Sequence, residues 1–202
     1  MNELIIATKN KGKVKEFQEI FKLYGINVKS LLELDTKLPD VEETGSTFHE
    51  NARLKAEEIC KIVKTPVLAD DSGLVIDALD GRPGVYSARY AGEPSNDKNN
   101  YEKVLQEMKG IKRNERTARF VCVLALAFPN GETIFKEGSC EGIIAEEAVG
   151  TNGFGYDPIF IPNGYDQTMA QLDESEKNKI SHRYHALSQI KAWLDDRQHK
   201  GD

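Results

Sequence analysis

The chain has 202 residues, 39% hydrophobic and 30% charged, which is enough apolar material for a buried core and excludes a disordered polymer. Its 27 basic residues face 33 acidic ones, and the net charge of -6 argues against a general nucleic-acid binder while leaving room for a local basic cluster around one small anion. No segment approaches the ~20 apolar residues of a membrane span, and the apolar part of MNELIIATKNKGK is too short for a signal peptide, so a cytoplasmic protein with no membrane partner is expected.

ELIIAT (3–8) reads as a buried first strand. Val14, Phe17, Ile20, Phe21 and Tyr24 then recur at helical spacing until Gly25 ends the helix. INVKSLLEL (26–34) fits a second strand and TKLPDVEETGS (36–46) a polar loop. Thr47 and Glu50 have the spacing of a capping box, which opens a helix running to about Val63. Pro66 precedes the strand-like run VLADDSGLVIDAL (67–79), and DALDGRPGVYSARYAGEP (77–94) reads as an ordered, turn-rich surface loop. A helix is predicted over 96–108, and Pro129-Asn130-Gly131 joins the two apolar runs of 117–145 as a hairpin. GTNGFGYDPIFIP (150–162) is a glycine-rich loop running into an aromatic segment. Residues 174–197 read as helical with a break at Ser181-His182, and DRQHKGD as a frayed tail. Alternating strands and helices followed by a hairpin predict a mixed α/β fold. Cys60, Cys122 and Cys140 are odd in number and lack metal-type spacing, and Cys60 and Cys122 read as small buried hydrophobes in a reducing cytoplasm.

Three stretches carry candidate chemistry. In TKNKGK, Lys9, Lys11 and Lys13 supply charge, Thr8 and Asn10 supply neutral hydrogen-bonding groups, and Gly12 lies in a strand-to-helix turn of the kind that receives phosphate. It is no Walker A loop, because the first glycine is missing and Val14 stands where Ser or Thr would be needed. A solvated lysine turn is the plain alternative. Glu42 and Glu43 precede a helix N-terminus, where acids suit the dipole, and Asp70-Asp71 could form no more than an Asx-turn. Taken together, though, the two acidic pairs offer the hard oxygen donors that magnesium takes alongside phosphates and water. Neighbouring strand residues face opposite ways, so both aspartates converge only if the strand ends at Ser72-Gly73, and that ending is expected. One aspartate would then face a metal or an attacking water while the other orients locally. The third cluster is aromatic and basic: Phe154, Gly155, Tyr156 and Asp157, then Lys177, then Ser181, His182 and Arg183. Core packing is the competing reading for Tyr156 and Phe160, and a capping turn for the Ser-His-Arg run.

TKNKGKVKEF, EETGSTFHENARLKAE, ADDSGLVIDALDGRPGVYSARYAG, GFGYDPIF and EKNKISHR, in this order and spacing, resemble the inosine triphosphate pyrophosphatase family from about Ile5 to Leu194. The resemblance implies a single domain with an elongated two-lobed α/β fold, a central mixed curved sheet flanked by helices, and an active-site cleft between the lobes. It implies a Mg²⁺-dependent homodimer that hydrolyses deaminated purine nucleoside triphosphates (dITP, ITP, XTP) to monophosphate and pyrophosphate. On the matching positions, Thr8, Asn10, Lys13 and Lys55 would contact the triphosphate. Glu43, with Glu42 as the second candidate, and Asp71 would hold magnesium. Asp71 is the first candidate for activating water and Asp70 the second. Ser72 would touch substrate, and Phe154 to Asp157, Lys177, His182 and Arg183 would hold base and sugar. Arg183 can only donate hydrogen bonds, which suits a 6-oxo purine and not a 6-amino one. Two rivals are a phosphatase forming a phospho-aspartate and a sensor that binds Mg–nucleotide without turnover. The first wants an Asp-x-Asp after an early strand, which is not what Asp70-Asp71 offers.

Overall fold

A computed structural model describes residues 2–8, 11–34, 38 and 41–200, with the backbone alone at 11, 12, 15, 16, 19, 20 and 198–200. The chain divides into two compact units. The first comprises residues 1–71, 123–137 and 186–202, and the second comprises 72–122 and 138–185.

The first unit starts with a β-α-β arrangement. β1 (Glu3–Ile6) leads into α1 (Lys11–Lys22) and β2 (Asn27–Ser30), and β1 pairs in parallel with β2, Ile6 opposite Ser30. On its other side β1 pairs in parallel with β3 (Val67–Ile76), Ile5 opposite Val67. A strand covered on both faces needs continuous apolar side chains. Leu4, Ile5, Ile6, Val67 and Leu68 meet that need and are fully buried, as are Phe17 and Phe21, one helical turn apart on α1. α2 (Phe48–Val63) runs to the predicted end, and Lys64 closes it in a left-handed conformation. Its predicted capping box is present, with Glu50 N–H donating to Thr47 Oγ1 at 3.1 Å and Thr47 N–H to Glu50 Oε2 at 3.2 Å.

The second unit holds α3 (Asp97–Glu107), much of β4 (Thr117–Ala127) and β5 (Thr133–Ile144), the short β6 (Phe160–Pro162) and α4 (Glu174–Ile180). β5 and β6 are antiparallel, Gly142 opposite Pro162. Leu74, Ile76, Val104, Met108, Phe120, Ile159 and Phe160 build its core. The six strands have the order β2-β1-β3-β4-β5-β6, a mixed sheet in a mixed α/β fold, and β3, β4 and β5 contribute residues to both units. The predicted hairpin turn is present: Phe128 N–H donates to Glu132 O at 2.8 Å, and Asn130 Oδ1 accepts from Glu132 N–H. The break before α5 (His182–Lys200) falls at Ser181, whose Oγ accepts from Tyr184 N–H. Cys60, Cys122 and Cys140 are all buried.

Four expectations need correction. β1 stops at Ile6 rather than residue 8, because Thr8 N–H turns back to Ile6 O at 2.8 Å. The second strand ends at Ser30, not 34, because the Ser30 N–H and hydroxyl both donate to Glu33 at 2.7 Å and wind Leu31–Glu33 into a 3-10 turn. β3 does not end at Ser72-Gly73 but runs on to Ile76, whose side chain is fully buried with that of Leu74. α5 extends to Lys200, past the start of the expected frayed tail, and residues 201 and 202 lie outside the description.

Candidate active site

The sequence-predicted residues divide between the two units. In the first, the Lys55 ammonium on α2 is the hub. It donates to Glu43 Oε1 at 2.8 Å, to the Asp70 carbonyl at 2.7 Å and to Asp71 Oδ1 at 3.5 Å. Two acids distant in sequence thus meet at one cation. Asp70 points its carboxylate to a different cation, Lys13 in the first turn of α1, at 2.6 Å. The alternation along β3 that made convergence of the two aspartates difficult is therefore resolved by separate partners rather than by ending the strand.

Both aspartates are buried, 5% and 8% exposed, so their charges are costly unless compensated. Burial pushes the Asp71 carboxyl above the ordinary aspartate range. Lys55 and a hydrogen bond from Asn51 oppose the rise, while Glu43 and Asp70 add to it. For Lys55, burial alone would weaken the ammonium, but Asp71, Asp70 and Glu43 outweigh it and hold its pKa above the lysine norm. Asp71 Oδ2 is buried and has no hydrogen-bond partner among the described residues.

The segment carrying Glu43 is fastened locally. Three donors, the Ser46 N–H and hydroxyl and the Thr47 N–H, converge on Glu50 Oε2, and Gly45 N–H donates to Asn51 Oδ1 at 2.8 Å. Asn51 is 1% exposed and lies one turn before Lys55 on the same face of α2. Sequence reasoning passed over Asn51. The available signal was its four-residue spacing from Lys55 in ENARLKAE. Glu42 is exposed, whereas Glu43 is half-buried at Lys55. Lys9 and Asn10 lie outside the described residues, and of Lys11 and Gly12 only the backbone is described, opening α1. Thr8 is half-buried just after β1, and Ser72 follows Asp71 in β3.

In the second unit, Asp157 is buried and its Oδ2 takes both the Lys177 ammonium and the Phe154 N–H, the latter at 2.9 Å. The Lys177 Nζ sits 4.6 Å from the centre of the Phe154 ring, a cation–π contact, and the ring itself is 55% exposed. Gly153 has φ +77°, and a Cβ there would run into Asp157 Oδ2 and Lys177 Nζ. Gly155 N–H donates to Asp97 Oδ2 at 2.8 Å. Tyr156 belongs to the core, as its competing reading had it: it is buried, donates to Ser87 O at 2.7 Å, and burial pushes its phenol up. His182 stacks on Phe120 with ring centres 5.0 Å apart, and Arg183 is buried at 6% exposure.

The Lys55 cluster suits anionic oxygen and water, and the second unit holds an exposed aromatic residue with a cation beside it and a buried arginine. A nucleotide hydrolase needs both sets of groups. Residues 4–193 match the model of the Ham1 family, and the chain belongs to that family. It is 60% identical to the dITP/XTP pyrophosphatase of Oceanobacillus iheyensis, over 96% of this chain and 98% of that one. It is 58% identical to the dITP/XTP pyrophosphatase of Bacillus subtilis over the same shares. The Staphylococcus aureus Ham1 protein superposes with a TM-score of 0.91 at 46% identity, over 97% of this chain and all of that one.

Proposed function

We propose that the chain hydrolyses the deaminated purine nucleoside triphosphates dITP, XTP and ITP to monophosphate and pyrophosphate, using Mg²⁺. It is a nucleoside triphosphate pyrophosphatase, the activity named for relatives that match it nearly end to end. The observation that carries the reading on to its residues is the meeting of Glu43 and Asp71 at Lys55, with Asp71 Oδ2 buried and unsatisfied.

No group of three or more His, Cys, Asp or Glu gathers as a ready metal cage among the described residues. Magnesium does not need one. It takes one or two protein carboxylates and completes its shell with water and phosphate oxygens, so Glu43 and Asp71 fit it. Those two would hold the ion, which when bound neutralises phosphate charge. Lys13 and Lys55, now paired with carboxylates, would turn to the triphosphate oxygens. Asp71 accepts the proton of the attacking water, for which its raised pKa suits it. The water oxygen bonds to phosphorus, one phosphoanhydride P–O bond opens, and pyrophosphate leaves. Asp70, whose carboxylate meets Lys13 at 2.6 Å, would orient that lysine locally.

In the second unit the exposed Phe154 ring offers a stacking face, and Lys177 and Arg183 offer donors. A donor-only guanidinium meets an acceptor in a 6-oxo purine and another donor in a 6-amino purine. Arg183→Ala should therefore lose ITP turnover mainly through lost ITP/ATP preference. Unchanged selectivity across the two substrates removes Arg183 as the reader. Function as a cytoplasmic homodimer belongs to the same proposal and rests on the family resemblance. No described helix is long and apolar enough to cross a membrane.

The deciding experiment incubates purified protein with Mg²⁺ and a nucleoside triphosphate panel and identifies both products. Pyrophosphate with monophosphate from dITP, XTP and ITP is expected. Orthophosphate favours the phospho-aspartate rival, and binding without products favours a sensor.

A further inference from the structure

The polar loop bearing Glu43 and the strand bearing Asp71 both end on one side chain, and the chemistry of that side chain fixes how it is used. Gly45 N–H can only donate, and it meets Asn51 Oδ1 at 2.8 Å. That contact assigns the amide orientation, leaving Asn51 Nδ2 as the group that hydrogen-bonds the Asp71 carboxylate. The Lys55 ammonium lies 3.5 Å from Asp71 Oδ1, and Asp71 Oδ2 has no partner among the described residues. The fit is close: a Cβ on Gly45 would lie 2.6 Å from Asn51 Oδ1 and 2.6 Å from Glu50 Cβ. Asn51 is itself 1% exposed, so neither bond is made to or replaced by bulk water without rearrangement.

We infer that Asn51 is a positioning residue, its amide acting as a two-sided brace that sets the loop of Glu43 against Asp71, so that the two carboxylates stand ready for a divalent cation. The inference rests on the proposed use of Glu43 and Asp71 as magnesium ligands. Groups that orient metal ligands typically change metal affinity or activity by 10- to 100-fold when removed. The brace keeps a carboxylate pair in register without adding charge beside Lys55.

The test reads Mg²⁺ binding without turnover, as the rise in melting midpoint of the purified protein with Mg²⁺ concentration. The wild type should show a saturable rise. Asn51→Ala should shift the half-saturating Mg²⁺ concentration upward by about 10- to 100-fold. Gly45→Ala, which leaves every carboxylate and the amide in place and only crowds them, should shift it in the same direction and keeps the test open should Asn51→Ala not fold. A purely structural Asn51 lowers the metal-free midpoint and leaves the Mg²⁺ dependence where it was; that result in the folded variants overturns the brace while the metal reading stands. A wild type with no saturable response to Mg²⁺ overturns the metal reading and the brace with it.

Discussion

Burial raises the pKa of the Asp71 carboxyl, and this has two opposite consequences. The folded state binds the proton more tightly than the unfolded chain does. Ionised Asp71 therefore costs stability at neutral pH, and the cost disappears as pH falls through the raised pKa. Asp71→Asn should melt higher than wild type near neutrality, with the advantage fading in acid, as thermal scans across pH would show. The same variant should lose about 10²–10⁴-fold in kcat if Asp71 is the general base. An Asp71→Asn protein with wild-type turnover ends that assignment. Lys55 has the complementary role. Lys55→Met removes the cation at which Glu43 and Asp71 meet and leaves the buried Asp71 carboxylate without it, at a cost of about 3–5 kcal/mol in denaturant unfolding without added divalent ions. At this scale the sequence was informative about charges and silent about the amide. Carboxylates in an apolar run demand an explanation, whereas a lone Asn in a helix reads as surface until its burial is seen.

The elements were legible where short-range chemistry decides them. Thr47 and Glu50 announced the start of α2, and Asn130-Gly131 the turn between β4 and β5, because side chains a few residues apart settle both. Reading failed where packing overrides propensity. Ser72-Gly73 looks like a strand end, yet β3 continues because Leu74 and Ile76 have a core to fill. The stretch 26–34 has strand-like apolar content, but the Ser30–Glu33 hydrogen bonds divide it. The glycine-rich segment before β6 was recognised as a loop, while its internal fastening was not. Phe154 N–H and Lys177 both close on Asp157, and Gly153 leaves them the room. Gly153→Ala should therefore destabilise by about 1–3 kcal/mol, from strained φ together with a displaced ion pair. Its nucleotide KM should rise more than its kcat falls, and an unchanged melting midpoint and KM would contradict this account.

At the scale of the molecule, motif order identified the family and the mixed sheet, but composition and spacing could not show how the chain is apportioned. The first unit is assembled from three separated stretches, and its last, from residue 186 onward, inserts Ala186, Leu187, Ile190 and Leu194 as buried side chains. Ending the chain at residue 185 removes them, each of the larger ones worth about 1.5–3 kcal/mol, so the truncated protein should lack a cooperative unfolding transition. A melting curve as sharp as that of the full chain would refute this. Protein synthesis meets the same constraint. Residues 1–71 leave the ribosome early but lack two of the segments they pack with, so the acidic site cannot reach its final form while translation is under way. Its maturation waits for the C-terminal helix, and a message terminated before residue 186 yields a product whose first unit lacks its last segment.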